Sequence, residues 1–255
     1  MPFQKIQPEK LSGTVVKQIE LLILRGILRP GDRLPAEREL AEKLGVSRPS
    51  LREAVATLQD RQLLAPKAGA GIFVADVMGA EFSETLVRLF SDHEEAMFDY
   101  ISFRRDMEGM AAERAATSGS DTDLQVIDTV FRKMEAAHAK RNPAEESQLD
   151  AEFHLAIIEA SHNVVMLHMM RAMFTLLREG VFYNRQIMFK QRVTRDTLLD
   201  QHRTINDALQ RRDAAGARQA VSAHLSYVED SLTAQNRTDR HEAIARQRLE
   251  QEASR

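Results

Sequence analysis

The chain has 255 residues, 43% of them hydrophobic, and a formal net charge of −3. It has no cysteine, which excludes disulfides and thiolate metal sites and fits a cytoplasmic protein; no apolar run reaches membrane-span length and no secretory signal pattern opens the chain. Three Tyr and no Trp argue against a stacking platform for single-stranded nucleic acid.

The charge is unevenly spread. Residues 1–75 hold 12 Lys and Arg against 8 Asp and Glu, and the remainder holds 23 against 30. The smaller N-terminal part is therefore the one suited to meeting phosphates.

In chain order, residues 11–27 read as a helix striped by Leu11, Val15, Ile19, Leu22 and Ile23. Pro30-Gly31 marks a turn. Residues 33–58, RLPAERELAEKLGVSRPSLREAVATL, then read as two short helices around a tight turn. Leu40, Ala41 and Leu44 stripe the first, with Glu37 and Glu39 near its positive end. Gly45 supplies the permissive backbone of the turn. Ser47 is placed to cap the second helix, and Pro49 is tolerated in its first turn. Leu51, Val55 and Leu58 make its buried face, while Ser47, Arg48, Ser50 and Arg52 cluster at its start. This is the layout of a helix-turn-helix, which offers the N-terminal residues of its second helix to the major groove; a small helical hairpin can share the pattern. Leu63-Leu64-Ala65 and Ile72-Phe73-Val74 flank Pro66–Gly71 and predict a β-hairpin with a glycine at its tip. After a helix-turn-helix such a hairpin is a wing, and otherwise it is an ordinary surface hairpin.

Residues 76–81 read as a linker. From residue 82 the pattern is helical almost throughout, starting with Phe82, Leu86, Leu89 and Phe90. No strand pattern or repeat interrupts it, and an antiparallel bundle of about six or seven helices is predicted. The expected fold is mainly α, with domains at 1–75 and 82–232. Residues 233–255, charged and poor in apolar positions, are expected to be a frayed helix or a disordered tail.

The chemistry of the bundle lies in its imidazoles. Asp150 and His154 are four apart and share a helix face beside Phe153 and Ile157. His202 sits among Leu198, Leu199, Ile205 and Leu209, and His224 among Ala220, Val221, Leu225 and Val228. Burying these groups unpaired would cost several kcal/mol in rough total. A metal bound by Asp150, His154, His202 and His224 would offset that cost, and a set without sulfur suits Zn, Ni, Mn or Fe. The other reading is three separately hydrogen-bonded core histidines. Arg104 either points inward to hold a carboxylate ligand or pairs with Asp106 or Glu108. A hydrolytic metal centre would need a placed base and an open metal position, and no base stands out beside the quartet.

The segment LILRGILRPGDRLPAERELAEKLGVSRPSLREAVATL, followed by the Lys67–Val74 wing, resembles the GntR family of bacterial transcription regulators. The helical remainder resembles its FadR subfamily, whose effector domain is the FCD bundle; the likeness runs from about Lys5 to Leu232. LVRLFSDHEE, RDMEGMAAERAA and EASHNVVMLHMMRAM resemble regulators of the pyruvate dehydrogenase complex within it. The resemblance implies a homodimeric repressor bound to double-stranded operator DNA and released by a small carboxylate such as pyruvate. Lactate and glycolate sensors of the subfamily share the full quartet, so those acids are alternatives. Family DNA contacts fall on Arg38, Ser47, Arg48, Ser50, Arg52 and Gly69, with Pro49 in the same row and Lys67 in the wing. Ala68 offers no polar side chain there, and Ile72 stands where the family more often has threonine. The FCD metal motif matches Asp150, His154, His202 and His224, and the likeness favours Arg104 as the residue facing the effector.

Overall fold

A computed structural model describes residues 11–75, 84–178, 188 and 192–253; the expected linker and Phe82 lie outside them. The chain divides into two units, Met1–Glu81 and Phe82–Arg255.

The first unit opens with α1 (Leu11–Leu24), whose Val15, Val16, Ile19 and Ile23 are buried. It ends before the expected residue 27, because Gly26 takes a left-handed conformation. The next helices are α2 (Glu37–Leu44) and α3 (Arg48–Asp60). Gly45, at φ 65°, ends α2 in the left-handed region that glycine enters without strain. Ser47 caps α3 by accepting a hydrogen bond from the Ser50 backbone N–H at 3.3 Å, and Pro49 lies in the first turn. Leu51, Ala54 and Leu58 are fully buried. The small Ala54 takes the inward place expected of Val55, which is half-buried. Strands β1 (Leu64–Lys67) and β2 (Gly71–Val74) pair antiparallel, Leu64 opposite Val74 and Lys67 opposite Gly71. Leu64 and Val74 reach the core shared by α1 and α3. A two-stranded sheet is marginal alone, and this packing anchors the hairpin.

The second unit is helical. Its described elements are α4 (Glu84–Asp92), α5 (Glu94–Ser118), α6 (Asp121–Lys140), α7 (Pro143–Ala160), α8 (Val164–Arg178), α9 (Arg192–Gln210) and α10 (Ala214–Ala253). The breaks between them are chemical. Ser120 and Asp123 form a reciprocal capping box at the start of α6. Asn142 accepts from two backbone N–H groups of α7, with Pro143 just inside that helix. Phe131, Phe153, Ile127, Ile157, Ile205 and Leu225 fill the core, and α5 packs along α10, α6 on α7, and α9 on both α6 and α10. Residues 233–253, expected to be a frayed helix or a disordered tail, continue α10 as regular helix. The run carries no Gly or Pro and is rich in Ala, Arg, Gln and Glu, so local propensity sustains the helix beyond Leu232, its last buried apolar residue. No helix among the described residues is long and apolar enough to cross a membrane.

Candidate functional site

In the first unit, the start of α3 gathers polar groups on an exposed surface. Ser47 Oγ and Ser50 Oγ lie 2.9 Å apart. Arg48 Nε donates to Glu37 Oε1 at 2.9 Å and Arg52 Nε to Glu37 Oε2 at 2.9 Å. One carboxylate on α2 thus holds both arginines of α3, whose side chains remain 56% and 63% exposed. The hydrogen bond from Arg52, with that from Arg48, keeps the Glu37 carboxyl below the usual carboxylate range. Pro49 is exposed in the same turn, and Arg38 is exposed on α2. Lys67 and Gly69 are exposed at the hairpin tip. Lys67 Nζ sits 4.4 Å from the centre of the Phe73 ring, and Gly69 has φ 69°. Ser47, Arg48, Ser50 and Arg52 are thus brought together at the start of α3, with Arg38 exposed on α2 beside Glu37 and Lys67 and Gly69 exposed at the hairpin tip. Sequence spacing shows Glu37 only as an acid near a helix start. Its bracing role joins residues 11 and 15 positions apart, a separation that helical periodicity does not read.

In the second unit, Asp150, His154, His202 and His224 converge from α7, α9 and α10. One ligand atom from each lies within 4.8 Å of the others, and all four residues are buried. No other such cluster of three or more carboxylate or imidazole ligands occurs among the described residues. Asp150 Oδ1 is 3.0 Å from His202 Nε2 and 3.8 Å from His154 Nε2. The two Nε2 atoms are 3.3 Å apart. Ring nitrogens this close beside one carboxylate oxygen call for positive charge between them, either a proton or an ion.

The outer ring nitrogens bear on the choice. His154 Nδ1 lies 2.6 Å from Glu108 Oε2, and His224 Nδ1 lies 3.0 Å from Gln201 Oε1. An N–H donated from His224 to Gln201 leaves the His224 Nε2 lone pair facing the centre, and a carboxylate oxygen this close to His154 Nδ1 favours the proton on that nitrogen and leaves its Nε2 facing inward likewise. His202 Nδ1 has no hydrogen-bond partner among the described residues. Burial pushes His154 down against the pull of Glu108, and it pushes His224 well down together with the neighbouring His202 and His154. Neutral imidazoles are what a metal ligand set requires. One carboxylate and three imidazoles, all buried and two with their tautomers set, fit a divalent transition ion.

Arg104 joins this site through an intermediary. Its Nε donates to Glu108 Oε1 at 2.6 Å, four residues along α5, so its acid partner on its own helix is Glu108 and not Asp106. Its guanidinium carbon lies 5.2 Å and 5.9 Å from the ring centres of Phe174 and Tyr100. Burial raises the Glu108 carboxyl, but the Arg104 guanidinium beside it, with the close polar contact to His154, outweighs that and brings it to about 2. Glu108 was legible only as a possible neighbour of Arg104. A second polar group borders the centre. Arg195 binds Glu146 through Nε and a terminal nitrogen, and its terminal nitrogen also donates to the His138 carbonyl at 2.8 Å. Met134, His138, Glu146, Arg195, Leu199 and His202 line one small cavity, which reaches the quartet at His202.

Comparison with known proteins assigns both units. Residues 11–74 match the gntR family of bacterial regulatory proteins, and residues 99–227 match the FCD domain. The chain is 37% identical over 231 residues to an Escherichia coli (strain K12) protein assigned as the L-lactate dehydrogenase operon regulatory protein, covering 89% of this chain and 88% of that one. It is 34% identical to the Glc operon transcriptional activator of the same strain, covering 89% and 91%. A solved Streptococcus agalactiae GntR structure superposes with a TM-score of 0.51 at 25% identity, covering 86% of this chain and 99% of that one. These relatives are named for the L-lactate dehydrogenase and Glc operons and not for the pyruvate dehydrogenase complex.

Proposed function

Because the chain belongs to the GntR family of bacterial transcription regulators and carries its FCD domain, we propose that it is an acid-responsive repressor in which a metal-bearing bundle controls a winged helix-turn-helix. It is a regulator and not an enzyme, as its relatives and fold neighbour are. The observation that carries the reading is the buried Asp150, His154, His202 and His224 set with Arg104 linked to it through Glu108.

On DNA, Arg48 and Arg52 read base edges or phosphates, and Ser47 and Ser50 fix register on the backbone. Arg38 and Lys67 add phosphate contacts. At Gly69 the missing side chain lets the hairpin tip approach the backbone closely. The chain acts as a homodimer, which presents two α3 helices to two half-sites.

In the bundle, Asp150, His154, His202 and His224 would hold a divalent ion such as Zn, Ni, Mn or Fe. Bound there, it would supply a Lewis-acid anchor for a carboxylate. Charge balance selects the acid. Asp150 and Glu108 contribute two negative charges and Arg104 one positive charge; with a divalent ion and neutral imidazoles, the buried site keeps one net positive charge. A single monocarboxylate cancels it, which is what burial favours. Arg104 takes one end of the acid, between Tyr100 and Phe174. L-lactate is the first choice, given the operon named for one relative; pyruvate and glycolate follow. An acid that binds one bundle arrangement better shifts the dimer away from the operator-bound form.

The test is operator binding by fluorescence anisotropy on metal-loaded protein, with L-lactate, pyruvate and glycolate added in turn. One of them should weaken operator binding at least about fivefold, the lower end of ordinary allosteric coupling. Tightening by an acid would reverse the sign and make the protein an activator of the kind one relative is named for. No response to any small acid would overturn the sensor reading.

A further inference from the structure

Glu108 is buried at the meeting of two sites. Its side chain is 2% exposed, and those of Arg104 and His154 are 1% exposed. One oxygen accepts from Arg104 Nε at 2.6 Å, and the other lies 2.6 Å from His154 Nδ1. The carboxylate is therefore divided between a guanidinium that is no metal ligand and an imidazole that belongs to the ligand set.

His224 provides an internal comparison. Its outer nitrogen meets the Gln201 carbonyl oxygen at 3.0 Å, so a neutral amide is enough to orient a ligating imidazole here. The full charge at position 108 has a different use, which is to compensate Arg104. The same charge then serves two partners. Whatever occupies Arg104 releases Glu108 toward His154, which strengthens the carboxylate's pull on the Nδ1 proton and makes Nε2 a better donor. An ion at the quartet makes the His154 Nδ1–H more acidic, draws Glu108 toward it, and frees Arg104 for an incoming anion.

We propose that Glu108 is the positioning residue that couples Arg104 to the metal centre, so that anion binding at Arg104 and ion binding at the quartet each strengthen the other. The anion half of this statement rests on the reading of Arg104 given above. The coupling through Glu108 does not, and it can be measured with metal alone.

The experiment is a double-mutant cycle on the full chain, with zinc affinity read by competition against a chelating dye. Four proteins are compared: wild type, Arg104→Met, Glu108→Gln and the double variant. Removing the Arg104 charge acts on zinc directly in both backgrounds, and that contribution cancels in the cycle. The expected result is that Arg104→Met tightens zinc at least about fivefold more when residue 108 is Glu than when it is Gln. Glu108→Ala, which removes the acceptor altogether, should weaken zinc roughly 10–100-fold, the usual effect of losing such a partner, and Glu108→Gln should recover most of that loss. Circular dichroism establishes folding, and Arg104→Gln replaces the Met variant if that one does not fold. Effects that multiply independently within twofold would overturn the coupling. With coupling present, lactate, pyruvate and glycolate are titrated by calorimetry. Failure of all three to bind would count against the acid reading while leaving the Glu108 coupling standing.

Discussion

Glu37 and Glu108 are both single carboxylates held between two partners, but exposure separates them. Glu37 works at the surface, where ion pairs contribute little stability and solvent screens them; its effect is on the aim of Arg48 and Arg52. Arg48→Ala should cost roughly 1–3 kcal/mol of operator binding and relax discrimination if the side chain makes a bidentate guanine contact. Glu37→Gln should leave binding to random DNA unchanged or stronger, because a negative charge is gone, while lowering the ratio of operator to random binding. Lys67→Ala should weaken binding to all sequences and reduce the salt slope by about one. Anisotropy titrations over a salt series check all three, and an Arg48→Ala protein with normal operator preference would remove the docking scheme. Glu108 instead affects stability. Its folded value of about 2 lies below the 4.5 of the unfolded chain, so it contributes stability fully above pH 4.5 that disappears as pH falls toward 2, roughly 3 kcal/mol at about 1.4 per unit. His154 and His224, depressed below 6.5, act in the same direction. The unfolded chain takes up their protons first as pH falls through 6.5. Urea melts of chelated protein should therefore show stability falling in two stages, below 6.5 and again below 4.5. Stability that is flat from pH 7 to 4 would contradict this ionisation scheme.

At the level of elements, the start of α3 depends on one cap. Ser47→Ala removes the side chain that accepts from the Ser50 N–H and should cost about 1 kcal/mol of stability in the first unit. It should also weaken operator binding, since Ser47 stands in the proposed row of DNA contacts; a melting temperature equal to wild type would show that the cap carries no weight. This cap, the Gly45 turn and the hairpin were legible in the sequence because each is written in neighbouring residues. By helical spacing alone the quartet was half legible, and the family resemblance supplied the set of four. Asp150 and His154 share a helical face by spacing alone, whereas His202 and His224 join them only when α9 and α10 fold beside α7. Periodicity says that a histidine lies on an apolar face, and it does not say which faces meet. Glu108 and Gln201, which orient two of the imidazoles, sit on other elements and leave no local signature. The inward place of Ala54 was missed for another reason: an alanine at helical spacing carries too little hydrophobicity to outrank the neighbouring Val55. Beyond Leu232 the sequence is poor in apolar positions, which argued against a packed helix. It also lacks breakers, and in α10 the absence of breakers proved the stronger influence.

For the whole molecule, a basic first unit and an acidic second unit divide the work. A single winged helix with a small positive excess is a weak binder, and two linked heads gain through effective concentration. Fragment 1–75 should bind operator far more weakly than the full chain, and the operator should be a near-palindrome. A stable monomer bound tightly to one half-site in sedimentation would refute the dimer. On the proposed reading the bundle converts acid binding into a change felt by both heads, and an ion at the quartet is the link most open to experiment. It would bridge α7, α9 and α10, so it should stabilise the fold by mass action, by about 2.7 kcal/mol at a free concentration a hundred times its dissociation constant. Chelation should lower the melting temperature and abolish the acid response together. His202→Ala should do the same, because His202 lies 3.0 Å from Asp150 and 3.3 Å from His154 at the centre of the cluster, and it leaves Arg48, Arg52 and Glu37 untouched. Operator affinity without acid should therefore survive in the variant. Calorimetric titration of L-lactate, pyruvate and glycolate into wild type and His202→Ala, each with and without chelator, separates the possibilities. Acid binding confined to metal-loaded wild type places the anion at the quartet. Equal affinity in all four samples would make the quartet a purely structural brace and require the acid to bind elsewhere in the bundle.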